Sequence, residues 1–251
     1  MYNKNGIVCG IIIFYTVTED KVILELIMGG ATASFGETLA VIILTLVIAL
    51  LSITFREYVK DRVTVKLGGN ASPSLNPAKH LNLQDLFSVV IIALFSASWI
   101  KAKNPGLSCG KTVAAALSAP VANLAVAFVS VFIYSVLDRI NAAIITNTES
   151  PSIVIIWIAM IFQTCVLINI AYALFDLIPV PGTNGGLILA QLLPEKAAEK
   201  FLYFDKFSYI VLLFLVVVFA RSGITAAVVN AVATAMQTPF VALFNLLFPI
   251  G

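Results

Sequence analysis

The sequence is poor in residues that usually bind metals or form disulfides. It has one histidine, His80, and three cysteines, Cys9, Cys109 and Cys165, which show no paired spacing. A single histidine excludes an all-histidine metal site, and scattered cysteines indicate neither a disulfide framework nor a cysteine zinc site. The sequence also lacks a phosphate-binding glycine loop and an internal repeat, and no basic patch predicts nucleic acid as a partner.

Charge is scarce as well. Only 11% of the 251 residues are charged and 60% are hydrophobic, whereas soluble domains carry about 25% charged residues. We therefore predict an all-α polytopic membrane protein whose first partner is the lipid bilayer. Because about 20 apolar residues cross a bilayer, the candidate spans are 36–55, 84–100, 112–137, 152–178, 207–221 and 223–248. The last contains Asn230, Gln237 and Pro239, which leaves open whether it is broken.

Residues 1–35 form a separate N-terminal segment. Met1 to Val17 loosely resembles a signal peptide, with Ala31-Thr32-Ala33 as a cleavage site, but charged residues such as Glu19 and Lys21 interrupt the apolar run. We favour an uncleaved short strand or half-helix near the membrane. We expect the membrane core over 36–221 and an apolar helix or hairpin over 222–251.

The basic residues indicate how the run 84–100 is arranged. If this run crosses the membrane, seven basic residues lie on one side and eight on the other. If it dips in and returns, eleven lie with the 55–111 and 179–206 loops and four lie opposite, which fits the positive-inside rule. The prediction is therefore five to six transmembrane helices with a re-entrant or interfacial segment at 84–100 and with both loops cytoplasmic. The eleven are Arg56, Lys60, Arg62, Lys66, Lys79, Lys101, Lys103, Lys111, Lys196, Lys200 and Lys206.

The segment from Phe55 to Lys60 places three charges at the end of the first apolar run. Arg56 and Lys60 are four residues apart and share a helix face, with Glu57 beside them. The spacing is that of His-Glu-x-x-His, the zinc-protease helix motif. Cations occupy both histidine positions, however, and a guanidinium or an ammonium has no lone pair for a metal. Charges this close to hydrocarbon are costly and are usually functional.

A second unusual stretch runs from Phe175 to Gly186. Its two prolines and three glycines break the fourth apolar run at its end, and the stretch also carries Asp176. Membrane proteins commonly build sites at broken helices of this kind. In the re-entrant topology this break lies on the same membrane face as Arg56, so the two features can meet.

These motifs together resemble the site-2 protease family of intramembrane zinc metalloproteases, in its compact bacterial form. Four stretches carry the resemblance in order and spacing over roughly 37–221. They are Arg56–Lys60 at the His-Glu-x-x-His motif, Leu75–Leu81 at a Leu-Asn-Pro-x-x-His segment, Ser118–Asn123 at an Ala-Gly-Pro-x-x-Asn helix start, and Phe175–Gly186 at a Phe-Asn-x-x-Pro-x-Pro-x-x-Asp-Gly-Gly motif. The resemblance implies a site-2 protease-like fold in the bacterial cytoplasmic membrane.

Carried over position by position, the resemblance assigns the three zinc ligands to Arg56, Lys60 and Asn184 and the general base to Glu57. All three ligand positions are substituted, two of them by cations, so zinc is not expected as a cofactor. The family has asparagine where this chain has Asp176. The histidine at the position of His80 is not a ligand in the family, and we interpret His80 as a structural residue.

The carboxylate gained beside two gained cations suggests compensation. Our hypothesis is that Arg56 and Lys60 pair with Asp176 and Glu57 in the former metal cavity, because buried charges require partners. Asp176→Asn should then destabilise the protein, and adding Lys60→Ala should partly restore it. In the alternative, the substitutions are independent and both cations snorkel to the interface.

Three functions compete at this point. The first is a catalytically inactive pseudoprotease that binds transmembrane helices of client proteins, or other partners, in the groove beside the 36–55 span. The second is a working intramembrane metalloprotease with an atypical zinc site around Glu57 and His80. The third is a small transporter or channel in which Arg56, Lys60 and Asp176 line an ion path, against which the missing repeat symmetry argues.

Overall fold

A computed structural model describes residues 35–80, 83–95, 98–148, 150 and 152–248. The interpretation of the N-terminal segment lies outside these residues. Within them the fold is all-helical, which confirms the predicted fold class. The α-helices there are α1 (Phe35–Lys66), α2 (Pro77–His80), α3 (Leu83–Phe95), α4 (Cys109–Thr148), α5 (Ile153–Asp176), α6 (Asn184–Leu192), α7 (Glu195–Tyr203), α8 (Ser208–Arg221) and α9 (Ile224–Leu247), with a 3₁₀ turn at Phe204–Phe207.

Five helical stretches of the described chain are long and apolar enough to cross a membrane. They are α1, α4, α5, the stretch Glu195–Arg221 and α9. Helix α3 has 13 residues, which extend about 20 Å at 1.5 Å per residue, whereas the hydrocarbon core is about 30 Å thick. The 84–100 run therefore does not cross the membrane as one helix.

The 84–100 run folds back on itself. The hydroxyl oxygens of Ser88 and Ser98 lie 2.8 Å apart, and Ser98 Oγ also donates to the carbonyl of Ser88 at 2.8 Å. The Ser88 hydroxyl donates to the carbonyl of Trp99. These contacts join the first half of α3 to the segment that follows it, as a re-entrant hairpin requires.

The segment after the hairpin returns to the same end of the bundle from which it started. Ala102 N donates to Gly182 O at 2.8 Å, and the Lys101 ammonium lies 2.8 Å from Asp205. Lys111 Nζ donates to the carbonyl of Leu67 at 2.9 Å. The segments 67–80, 98–108 and 177–207 thus gather at one end of the bundle, which we call the loop end.

Two local expectations were wrong. Arg56 does not end the first helix, because α1 continues to Lys66 and places Arg56 about 17 Å from Leu67 along the helix axis. Pro120 lies inside α4 and does not begin it. The question left open for the last span is also answered, since helix α9 continues through Pro239 without a break. Membrane helices tolerate such prolines because neighbouring groups satisfy the carbonyls that the missing N–H groups leave free.

The core positions α1, α4 and α5 against one another. One apolar cluster joins Ile53 of α1, Ala127 of α4 and Ile170 of α5 to Val229 of α9. A second cluster packs Phe175 and the buried Trp99 against α8. The first cluster fixes the helices that carry the charged residues, and the second holds the re-entrant segment beside the end of α5.

Candidate functional site

Helix α1 directs its charged residues inward. Arg56 and Lys60 are 0% and 4% exposed, and Glu57 is also buried, whereas the neighbouring Leu51 and Phe55 are 58% and 40% exposed. The helix therefore presents apolar side chains outward and charges inward, as expected for a span that faces lipid on one side. The buried cations do not snorkel to the interface.

The end of α5 and the start of α6 form the opposite wall. Helix α5 ends at Asp176 and α6 begins at Asn184. Thr183 caps α6, since its hydroxyl accepts a hydrogen bond from Gly186 N at 2.9 Å and satisfies one of the free donors of the first turn. The turn between the helices brings the side chains of Asp176 and Asn184 into direct contact.

Glycine is required at two positions of this turn. A β-carbon at Gly185 would overlap the carbonyl of Leu177, and one at Gly186 would overlap the carbonyl of Val180. The backbone of the first turn of α6 thus packs directly on the 177–180 segment. The glycine pair holds Asn184 next to the end of α5.

The two walls meet in a buried polar network. Arg56 Nη2 donates to Asp176 Oδ2 at 2.8 Å, and Arg56 Nε lies 3.3 Å from Glu57 Oε1. Lys60 Nζ donates to Asn184 Oδ1 at 2.7 Å. Asn184 Nδ2 in turn donates to Asp176 at 2.8 and 3.0 Å. All five predicted site residues therefore lie together, although 120 residues separate Arg56 from Asp176 in the sequence.

The network differs in one respect from the pairing hypothesis. Lys60 does not take Asp176 or Glu57 as its hydrogen-bond acceptor but bonds the amide oxygen of Asn184. Asn184 thus connects Lys60 to Asp176, because its amide can accept from one partner and donate to the other. The formal charges of Arg56, Lys60, Glu57 and Asp176 cancel, which is the condition for holding charges inside a membrane protein.

The donor atoms do not fit a zinc ion. A catalytic zinc site uses three ligands drawn from histidine, cysteine and carboxylate side chains. No cluster of three or more His, Cys, Asp or Glu able to hold a metal occurs in the described residues. Asn184 Oδ1 already accepts from Lys60, and the Asp176 carboxylate bonds Arg56 and Asn184. His80 lies in α2, and its side chain is outside the described part of the structure.

Sequence reasoning missed a second buried polar layer beside the network. Asn169 of α5 is fully buried and donates to Ser52 Oγ of α1 at 2.9 Å. Both residues share a helix face with the network, since Ser52 precedes Arg56 by four residues and Asn169 precedes Asp176 by seven. An asparagine within an apolar span, at helical spacing from a carboxylate, is the signal that could have found this layer.

Comparison with known proteins gives one informative result. No protein-family model matches the chain, and no solved structure matches it. A curated protein of Bacillus subtilis (strain 168), named "Putative zinc metalloprotease YwhC", is 25% identical over 219 residues, which cover 81% of this chain and 92% of that protein. Similarity over most of both chains supports a protease-like membrane protein of bacterial type.

Proposed function

We propose that this chain is a pseudoprotease of the site-2 protease family, which binds transmembrane segments of client proteins without zinc and without cleaving them. One observation carries the proposal. The three positions to which the resemblance assigns zinc ligands, Arg56, Lys60 and Asn184, converge on Asp176 and bond to it directly or through one another. The metal cavity of a protease is thus replaced by an internal polar network.

Elementary electrostatics opposes metal binding at this place. A divalent ion would lie beside a guanidinium and an ammonium, which repel it strongly in a medium of low dielectric constant. Removing Asp176 from Arg56 to free a ligand would leave a buried cation without its partner, which is strongly unfavourable. Glu57 then has no metal-bound water to deprotonate, and the usual source of a nucleophile at neutral pH is lost.

The outer face of α1 supports client binding. Ile43, Val47, Leu51 and Phe55 are exposed and follow one another at four-residue spacing, so they form a continuous apolar stripe. This stripe ends directly beside Arg56. A client helix lying along it would bury apolar surface against α1 next to the former catalytic position.

The charge distribution supports a cytoplasmic position for the loop end. Apart from the buried Arg56 and Lys60, the 61–111 and 179–206 regions carry nine of the other thirteen basic residues, which the positive-inside rule places on the cytoplasmic side. A bacterial cytoplasmic membrane agrees with the bacterial organism of the similar protein.

Reversing the substitutions tests the loss of zinc. The variant Arg56→His/Lys60→His/Asn184→Asp/Asp176→Asn restores the ligand set that the resemblance implies. We expect it to bind stoichiometric zinc, whereas Asn184→Asp alone should bind none because both cations remain. Failure of the folded fourfold variant to bind zinc would count against the resemblance on which the proposal depends.

Site-directed photo-crosslinking tests client binding. A photoreactive amino acid at Leu51 should crosslink an intact transmembrane client in membranes, while the same residue at the lipid-facing Ile210 of α8 serves as a matched control, since both positions are strongly exposed. Recovery of only cleaved fragments at Leu51 would favour the working protease. Equal crosslinking at both positions would show that α1 is not a client site.

A further inference from the structure

The helices α1, α4 and α5 each turn a polar face toward their common interface. On α1 this face carries Ser52 and Arg56, and on α5 it carries Asn169 and Asp176. On α4 it carries Asn123, which stands seven residues before Ser130, so the two share a helix face. Ser130 lies within reach of the Cys165 thiol of α5, and Asn169 joins α5 to Ser52. The α4 polar face therefore points into the α1–α5 interface.

Two independent sets of contacts between the helices, which we call ties, place Asn123 at the same depth in the bundle as Arg56. At the loop end, Lys111 bonds the carbonyl of Leu67. The end of α1 and the start of the antiparallel helix α4 therefore lie at about the same level. Arg56 lies eleven residues before Leu67 and Asn123 lies twelve residues after Lys111, which corresponds to about 17 and 18 Å along the two axes.

The second tie comes from the opposite direction. Ser130 of α4 lies at the level of Cys165 of α5. Asn169 follows Cys165 by one helical turn toward the loop end, and Asn169 bonds Ser52 of α1, so Ser52 lies one turn closer to the loop end than Ser130. Arg56 follows Ser52 by one further turn, so Arg56 lies about two turns closer to the loop end than Ser130. Asn123 also lies about two turns from Ser130 in that direction. Both ties agree, so Asn123 and Arg56 face the same part of the interface at the same level.

Several polar atoms at this level have no partner within the described protein. Asn123 is fully buried, and neither Nδ2 nor Oδ1 has a hydrogen-bond partner there. Arg56 is fully buried too, and its Nη1 likewise bonds no described residue. Native proteins satisfy the large majority of such groups, with ordered water where protein groups do not suffice.

We propose that Arg56 and Asn123 bind ordered water at the α1–α4–α5 junction. A water can accept from Arg56 Nη1 and donate to Asn123 Oδ1, and a second can accept from Asn123 Nδ2. A neutral guest fits because the charges of Arg56, Lys60, Glu57 and Asp176 already cancel. An added cation or anion would leave a net charge inside the membrane, which is costly. The water would bind the same guanidinium whose Nε lies 3.3 Å from Glu57. The proposal does not depend on client binding.

Hydroxyl-radical footprinting of the intact protein in nanodiscs tests the water site. Radicals formed from internal water oxidise side chains next to it even when those side chains are buried. Tyr172 is the reporter, because it is fully buried and lies on α5 one helical turn before Asp176, the residue that bonds Arg56. The dry reference is Trp99, which is 2% exposed in an apolar cluster. We expect several-fold more oxidation of Tyr172 than of Trp99, although indole is the more reactive ring. Equal protection of both residues would overturn the proposal.

Two variants localise the water. Asn123→Leu has nearly the same shape but removes both orphan polar atoms, so oxidation of Tyr172 should fall toward the level of Trp99. Ser135→Ala is the matched control on α4, since the Ser135 hydroxyl already bonds Val131 O at 2.8 Å, and it should leave the footprint unchanged. Unchanged oxidation of Tyr172 in folded Asn123→Leu would place the water elsewhere and overturn the assignment. If that variant does not fold, the wild-type comparison of Tyr172 with Trp99 still decides.

Discussion

At the residue scale, Arg56 is the side chain whose loss of a partner should cost the protein the most stability. A fully buried guanidinium is held by the Asp176 carboxylate at 2.8 Å and by Glu57 at 3.3 Å. A pair of this kind need not make a protein more stable than an apolar pair would. Replacing both partners can cost little, but removing only one leaves the other as an uncompensated buried charge.

Asp176→Asn should therefore destabilise the protein by about 3–5 kcal/mol, the usual cost of breaking a buried ion pair from one side. The measurement is the free energy of unfolding in detergent micelles. Asp205→Asn is the matched control, because the Lys101–Asp205 pair is partly exposed and such pairs contribute about 0–1 kcal/mol. Equal effects of the two substitutions would contradict the proposed role of Asp176.

A second substitution at Arg56 should restore the stability lost in Asp176→Asn better than one at Lys60. Adding Arg56→Met to Asp176→Asn removes the stranded charge and should recover much of the lost stability. Adding Lys60→Ala should recover less, since Lys60 reaches Asp176 only through Asn184. A double-mutant cycle measures both coupling energies, and a larger coupling for Lys60 would refute this order.

At the element scale, the turn from α5 into α6 brings the site together. It ends α5 at Asp176 and starts α6 at Asn184 so that the two side chains touch. The contact depends on backbone atoms that lie where any side chain at Gly185 or Gly186 would have to be. The site is thus coupled to a piece of backbone geometry and not only to its charged residues.

Gly186→Ala should disrupt this turn, because its β-carbon would overlap the Val180 carbonyl, and backbone cannot move aside as cheaply as a side chain end. We expect a clear fall in the unfolding temperature and loss of the Asn184 contact. Gly110→Ala in the first turn of α4 is the control, since nothing lies within 4 Å of its β-carbon. That control should be neutral or stabilise by up to about 1 kcal/mol. A tolerated Gly186→Ala would contradict the close packing.

The same scale shows what the sequence could and could not predict. Apolar runs of sufficient length predict the membrane helices, and the short α3 with its returning segment follows from the distribution of basic residues. Proline was misleading at Pro120, because a membrane helix can absorb the missing hydrogen bond through its neighbours. The hydrogen bond of Lys60 to an amide could not be predicted, since its choice between Asn184 and a carboxylate depends on the rotation of α1 against α6.

At the scale of the whole molecule, the arrangement of the chain determines whether the site can form. Arg56 and Asp176 meet because the re-entrant segment returns to the loop end, so that α1 and α5 run toward the same side. A fully crossing 84–100 segment would send α5 the other way and separate the two residues by the thickness of the membrane.

Cysteine accessibility tests this arrangement in a cysteine-free background. Single cysteines at the exposed Lys103 and Lys196 should react with a membrane-impermeant maleimide only from the cytoplasmic side, whereas a cysteine at the exposed Asn147 should react from the other side. Labelling of the Lys103 and Lys196 positions from opposite sides would contradict the re-entrant topology. Labelling of both from the outside would retain the fold but reverse its proposed orientation.

The zinc content of the wild-type protein, purified from zinc-supplemented cells and measured by elemental mass spectrometry, tests the central claim most directly. The account predicts no bound zinc above the background of the Arg56→Met variant. Stoichiometric zinc that disappears on Glu57→Gln or Asn184→Ala would contradict it.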